Sequence, residues 1–209
     1  MDFLHLLKQR RAGLSRGFTL VELMVVVVII GILSTIAVPQ LLERMRERRA
    51  SQAAQTVAMM YRNARLRALG RGFPVMVSYV AGTGPGTGYT VREAMPAGGV
   101  ATCTPRLPPT CANTLWNDPG TSVLVDTYNL EVSATLIPTM TAAMTDSTGS
   151  AVTYYDLCFS PRARAYSRVA KTNALAPTTD TMNIAFTRVG STFSRDVAVM
   201  ANGMARLAL

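Results

Sequence analysis

The chain has 209 residues, a formal net charge of +9 and 49% hydrophobic residues. This length allows one globular domain of ordinary size and one further element. Most of the excess positive charge lies before Gly72, so the basic composition alone does not indicate nucleic-acid binding. The single histidine, His5, lies near the amino terminus, which argues against histidine-based catalysis and histidine zinc sites in the rest of the chain.

The first predicted element is a basic leader followed by a long apolar run. Four basic residues precede that run: Lys8, Arg10, Arg11 and Arg16. The run extends from Phe18 to Val38, about the length that spans a bilayer, and Pro39 follows it. A secretory signal peptide or a simple membrane anchor has the same outline, but neither explains the carboxylate of Glu22 within the apolar segment. In each interpretation the leader stays in the cytoplasm and the rest faces outward.

The sequence Gly17-Phe-Thr-Leu-Val-Glu22, with the apolar run and the proline behind it, resembles the prepilin signature. This signature belongs to type IV pilins and type II secretion pseudopilins, and the resemblance covers roughly residues 16 to 70. It implies that a prepilin peptidase cuts between Gly17 and Phe18 and methylates the new amino terminus. It also implies an assembly role for Glu22 and a loosening of the helix between Gly31 and Pro39 in a filament. Pro39 itself removes one backbone hydrogen bond, which predicts a kink or local melting there.

The helical pattern continues beyond Pro39. Small and apolar residues recur at spacings of three and four, which predicts one buried helix face: Ala50, Ala54, Val57, Tyr61, Ala64 and Ala68. Polar residues occupy another face: Arg44, Arg48, Gln55 and Arg62. Gly70, Gly72 and Pro74 predict the end of the helix. The predicted organisation is a leader at 1–17, a membrane or filament-core helix at 18–38, its amphipathic continuation at 39–71 and a β-rich domain at 72–209.

After Gly72 the sequence period becomes that of β-strands. A first pair is predicted at 75–80 and 89–93, joined by the glycine-rich turn 82–88. Further strands are predicted at 122–126, 128–137, 153–160, 164–169, 181–188, 193–200 and, after a turn at Asn202-Gly203, 204–209. Residues 94–120 and 138–151 are predicted to be loops. A long helix followed by antiparallel strands indicates an α+β fold in which the helix covers a sheet face, and the resemblance implies the type IV pilin fold.

Two further segments resemble the GspH/FimT-like subgroup of this family. The first is the junction from Ala64 to Val77, and the second is Leu157-Cys-Phe-Ser-Pro-Arg-Ala-Arg-Ala-Tyr166. In the second segment Ala163 stands where glycine is usual. These segments favour a minor pilin or pseudopilin over a major pilin.

Three cysteines lie in the part of the chain that faces outward, where disulfides persist. Cys103 and Cys111 flank a proline-rich segment, and we expect them to be bonded to each other. Cys158 lies in an apolar strand-like segment, and we expect it to be a buried free thiol.

One basic cluster is a candidate for nucleic-acid contact: Arg162, Arg164, Arg168 and Lys171. Phosphate binding needs several such side chains on one surface, and Tyr166 could stack against a base. Some members of the FimT-like subgroup capture DNA through arginines near the carboxyl terminus. The favoured interpretation is nevertheless a solvated strand face, since the domain is close to neutral.

The sequence contains no recognisable catalytic constellation, so we expect neither an enzyme activity nor a cofactor or metal. The resemblance implies a structural minor pilin that primes assembly at or near the tip of a type IV pilus. It would span the bacterial inner membrane once, with its amino terminus in the cytoplasm, and after assembly it would lie in the periplasm or at the tip of the pilus filament. The implied partners are other major and minor pilins, the prepilin peptidase/methylase and the inner-membrane assembly platform. The alternatives are an H-type pseudopilin of a type II secretion system and a DNA-binding minor pilin.

Overall fold

The computed structural model describes residues 17–82, 87–95, 109–129, 140–188 and 193–208. Over these residues the chain forms one helix, α1 (Leu20–Arg71), and eleven strands. It divides into two compact units, one ending at Arg44 and the other beginning at Met45. α1 runs unbroken through Gly31 and Pro39, and the structure shows no local melting at the proline. Loosening of this segment in a filament stays a prediction.

α1 ends where the glycine pattern predicts. Gly72 adopts a φ of +75°, the left-handed conformation that commonly terminates helices, and its amide donates to the carbonyl of Ala68 at 3.1 Å. Arg71 places a positive charge in the last turn, where the helix dipole favours it.

The strands form two antiparallel sheets. In chain order they are β1 (Val75–Val80), β2 (Gly88–Ala94), β3 (Ser122–Tyr128), β4 (Met140–Thr145), β5 (Ala151–Val152), β6 (Tyr154–Phe159), β7 (Ala165–Arg168), β8 (Ala176–Pro177), β9 (Met182–Arg188), β10 (Ser194–Val199) and β11 (Ala205–Ala208). The first sheet has the order β3-β2-β1-β6-β7-β8, and the second has the order β11-β10-β9-β4-β5. The α+β prediction is therefore confirmed.

The predicted face of α1 forms one side of the main core. All six of its residues from Ala50 to Ala68 are buried, as predicted. The core continues into the first sheet through residues such as Val77 and Leu157, and into the second through Ile184 and Phe186. The helix face is thus buried in a core that takes side chains from both sheets.

Ion pairs also hold the end of α1 against the first sheet. Arg67 Nε lies 2.5 Å from Oε2 of Glu93 on β2, and Arg71 Nη1 lies 3.2 Å from the same oxygen. Glu93 is almost fully buried, so these two guanidinium groups supply the opposite charge that its carboxylate requires.

The prediction that 138–151 is a loop is wrong for β4. This strand lies between β9 and β5 in the second sheet, and its Met144 is buried opposite Ile184 of β9. Threonine and alanine dominate the segment, so its inward-facing and outward-facing residues differ little in hydrophobicity. The sequence therefore lacks the alternation that predicts a strand. Of the strand predicted at 128–137, only Tyr128, which ends β3, and Asn129 lie within the described residues.

A second, smaller cluster covers the outer face of the first sheet. It contains Met76, Ala94, Cys111, Trp116 and Cys158, and Cys111 and Cys158 are joined by a disulfide with a Cα–Cα distance of 5.9 Å. The predicted Cys103–Cys111 pairing and the predicted free thiol at Cys158 are both wrong, and Cys103 lies outside the described residues.

The strand phase of β6 explains this pairing. Cys158 alternates with Leu157 and Phe159, which belong to the main core, and therefore faces the opposite side of the sheet. The segment that carries Cys111 packs on that side, where Trp116 Nε1 donates to the Cys111 carbonyl at 3.2 Å.

Candidate processing and assembly site

The junction predicted for cleavage precedes the first turn of α1. Gly17, Phe18 and Thr19 are exposed and non-helical, and Phe18 is 78% exposed. Within the described structure, a Cβ built on Gly17 would meet no atom within 4 Å. Packing against the described residues therefore does not explain the glycine at this position.

Thr19 caps α1, a role that we did not predict. Its Oγ1 accepts a hydrogen bond from the Glu22 amide at 3.2 Å, and its carbonyl accepts from the Leu23 amide at 3.2 Å. A threonine followed three residues later by a glutamate is the sequence signal of a helix amino-terminal cap. The cap places Glu22 in the first turn, where the helix dipole stabilises a carboxylate.

The apolar segment behind this cap is uncovered. Leu20–Leu41 has 22 residues and a mean hydropathy of 2.7, and none of its apolar window is buried. By length and composition this helix could cross a membrane. Its two hydroxyl side chains are satisfied within the helix, since Ser34 donates to the Ile30 carbonyl and Thr35 to the Ile32 carbonyl, each at 2.7 Å.

Gly31 also has open space around it. A Cβ built on it would meet no atom within 4 Å in the described structure, although it sits inside a regular helix. Glycine lowers helix stability relative to alanine, and no contact among the described residues compensates for that cost.

The structure separates the four predicted basic residues into two groups. Arg168 belongs to an internal ion pair, because its Nε lies 2.6 Å from Oδ2 of Asp156, which is fully buried. Its Nη1 also donates to the Lys171 carbonyl at 3.1 Å. The Arg168 guanidinium is thus directed into the domain and neutralises a buried carboxylate.

Lys171 lies beside the same cluster. Its Nζ is 5.6 Å from the centroid of the Tyr154 ring, a cation–π distance, and the Tyr154 hydroxyl donates to Asp156 Oδ2 at 2.6 Å. Burial, and then the hydrogen bond and charge of Asp156, raise the pKa of Tyr154. Tyr154 therefore remains neutral and continues to donate this bond at ordinary pH.

Arg162 and Arg164 form the second group, and both are exposed. Together with Tyr166, they line a cavity of about 550 Å³ beside Cys111 and Leu175. The structure therefore brings together two of the four cations and the predicted stacking residue, and it places Arg168 and Lys171 in a different environment.

The turn between these arginines holds Ala163 in a backbone conformation that suits glycine. Ala163 has a φ of +62° and is the one non-glycine residue with positive φ among the described residues. Its amide donates to the Ser160 carbonyl at 3.1 Å, which closes the turn between β6 and β7. Glycine adopts this conformation without the steric cost that alanine bears.

Comparison with solved structures finds two similar chains. Both are crystal structures of the type IV minor pilin FimU of Pseudomonas aeruginosa strain PAO1, and both are 16% identical to this chain. The P65 form gives a TM-score of 0.39 and covers 76% of this chain and 92% of FimU. The P21 form gives a TM-score of 0.44 and covers 80% of this chain and 91% of FimU. With TM-scores this low, the likeness carries no argument about this chain.

Comparison with curated proteins finds no significant sequence match. Residues 14–38 match the family described as the prokaryotic N-terminal methylation motif. The matched range contains Gly17, Phe18, Glu22 and Gly31, and it confirms the predicted resemblance of this end of the chain to type IV pilins and pseudopilins. The segments that resemble the GspH/FimT-like subgroup lie outside it. The amino-terminal segment of this chain is therefore a prokaryotic N-terminal methylation motif, continuous with the helix of an α+β protein.

Proposed function

We propose that this chain is a structural minor pilin of a type IV pilus, with no catalytic role. The observation that carries the proposal is the methylation motif at residues 14–38, which overlaps the apolar helix segment Leu20–Leu41, whose apolar window is uncovered. A surface of this kind requires an apolar environment. The membrane provides that environment before assembly, and the helices of neighbouring subunits provide it in the filament.

In this proposal the Gly17–Phe18 bond is cut on the cytoplasmic side of the inner membrane. Gly17 is exposed, and among the described residues nothing packs against it, which is consistent with a glycine selected by a peptidase that must approach the backbone closely. Cleavage leaves Phe18 as the amino terminus of a helix capped by Thr19.

Glu22 serves docking between subunits. An unpaired carboxylate in an apolar layer costs on the order of a few kcal/mol. A helix amino terminus offsets part of that cost, and the amine at Phe18 of a staggered neighbour would offset more, because charge pairing strengthens in a low-dielectric layer. Glu22 therefore favours a neighbour at the correct axial stagger.

A position at or near the filament tip, where the subunit primes assembly, belongs to the same proposal. The runner-up is an H-type pseudopilin of a type II secretion system, which would use the same processing and the same helix. Mass spectrometry of purified pili separates the two, since only a pilus subunit is recovered with pilin partners from sheared filaments.

DNA capture is the less supported alternative. Arg168 is engaged by Asp156, so a DNA contact would rest mainly on Arg162, Arg164 and Tyr166. Gel-shift titration with the full-length protein tests this alternative, and loss of binding on Arg162→Ala with Arg164→Ala would favour it.

Substitutions at Gly17 and Glu22 test processing and assembly. Intact mass analysis should find a mature protein that begins at N-methylated Phe18, and Gly17→Arg should leave an uncut precursor in the membrane. Glu22→Val and Glu22→Gln should be cut and folded but recover fewer pilin partners on co-purification, whereas the control Val21→Ala should recover as many as the wild type. A mature protein that retains Met1 would overturn the proposed processing. Full recovery of partners by both Glu22 variants would overturn the proposed assembly role.

A further inference from the structure

A second cavity lies between the outer side of α1 and the last strand. We call it the α1–β11 groove and define it by Arg62, Arg65, Leu66 and Leu69 of the helix and by residues 203–206. Its volume is about 490 Å³, and its lining is predominantly apolar. Leu66 is 65% exposed and Leu69 is 44% exposed, so two large apolar side chains stay open to solvent on one wall.

The opposite wall of the groove is the free edge of a sheet. β11 is the outermost strand of the second sheet, with β10 as its partner. An edge strand presents backbone N–H and C=O groups away from its partner strand. Arg62 Nε donates to one such acceptor, the Ala205 carbonyl, at 3.0 Å, and this bond ties the two walls together.

The rim of the groove is positively charged. Arg62, Arg65 and Arg206 lie around it, and none of the described residues that line it is acidic. The three ion pairs in the described part of the chain use Arg67, Arg71 and Arg168. None of them involves the three arginines of the rim. Covering them with an apolar partner alone would bury unpaired charge, which is costly.

We propose that the α1–β11 groove binds a short segment of a different subunit, in which apolar side chains are flanked by aspartate or glutamate. The apolar side chains would cover Leu66 and Leu69, and the carboxylates would pair with Arg65 and Arg206. A second copy of this chain fits poorly, because residues 43–71 carry eight arginines and two glutamates and would bring more positive charge to the contact. The inference rests on the proposed function only in taking the partner to be a subunit of the same machine.

A photo-crosslinking residue at Leu66 of the full-length chain, in cells that assemble the machine, tests this inference. We expect one major crosslinked partner, identified by mass spectrometry, whose linked peptide contains Asp or Glu close to an apolar residue. The matched control places the same crosslinker at Asn63, which is exposed on the same helix but does not line the groove. Its crosslink to that partner should be several-fold weaker.

Charge reversal tests the rim. Arg65→Glu combined with Arg206→Glu should lower the Leu66 crosslink about tenfold, the size expected for loss of a complementary charge contact. The control, Arg162→Glu combined with Arg164→Glu, alters the net charge by the same amount elsewhere on the domain and should leave the crosslink unchanged. Reversing the partner's carboxylates to lysine should restore it, and thermal unfolding of each purified variant verifies that the domain is folded.

Each of these results would overturn the inference: a crosslink to a second copy of this chain, a linked peptide without carboxylates, equal yields from Leu66 and Asn63, or no effect of the charge reversal. Intact mass analysis of the same samples distinguishes failure of this inference from failure of the proposed function. A chain that begins at Phe18 and enters filaments without the Leu66 crosslink refutes only the groove. A chain that is never processed refutes the proposed function.

Discussion

Cys111 is bonded to Cys158 across 47 residues of chain, and the bond ties the segment before β3 to the outer face of β6. Because this loop is long, its closure restricts the unfolded chain substantially. We expect Cys111→Ser or Cys158→Ser to lower the free energy of unfolding by about 2–4 kcal/mol in urea titrations. Cys103→Ser is the control and should keep the bond. Non-reducing peptide mapping that links Cys103 to Cys111 would contradict the observed pairing.

Gly203 should not tolerate a side chain. A Cβ at this position would lie 2.2 Å from Cε1 of the buried Phe159 ring, and φ is +75°. We expect Gly203→Ala to destabilise the domain by about 2–5 kcal/mol, from the clash and the backbone strain together. Gly149→Ala is the matched control, since φ there is +85° but the space is open. Gly149→Ala should lower the free energy of unfolding by about 1 kcal/mol. Equal melting temperatures for the two variants would contradict this account.

Ala163 is the opposite case, because here the natural residue bears the strain. Its φ of +62° suits glycine. We expect Ala163→Gly to stabilise the domain by about 0.5–1 kcal/mol, the steric relief less the entropy that glycine adds to the unfolded chain. Ala151→Gly, at an exposed strand position with ordinary φ, should destabilise it by a similar amount. Denaturant titration measures both, and the same sign for the two variants would refute the prediction.

The Arg168–Asp156 pair holds β7 to β6 and should be required for stability. Arg168→Met leaves the Asp156 carboxylate buried without its partner, so we expect a loss of about 3–5 kcal/mol. Arg164→Met changes an exposed arginine on the same segment, and its free energy of unfolding should stay within about 0.5 kcal/mol of the wild-type value. The double variant Arg168→Met with Asp156→Leu should recover much of the loss. If the single and double variants are equally unstable, the ion pair is not the cause.

The sequence determined the features that depend on local pattern. The Gly-Phe-Thr-Leu-Val-Glu segment identified the processing motif, and spacings of three and four identified the buried face of α1. Gly72 marked the helix end, because a left-handed residue is needed there. Most strands were also evident from alternation, since one face of each must be apolar. Even the Thr19 cap, which we missed, is visible in the spacing of Thr19 and Glu22.

Tertiary structure alone decided which distant residues meet. Cys158 could be matched to Cys111 only once the strand phase of β6 and the position of the segment before β3 were known. Arg168 looked like part of a basic surface until the register of β6 and β7 placed it opposite Asp156. The α1–β11 groove likewise joins residues separated by more than 130 positions, as the Arg62–Ala205 bond shows with its separation of 143. Such contacts arise from how helix and sheets pack, and periodicity within a segment carries no information about them.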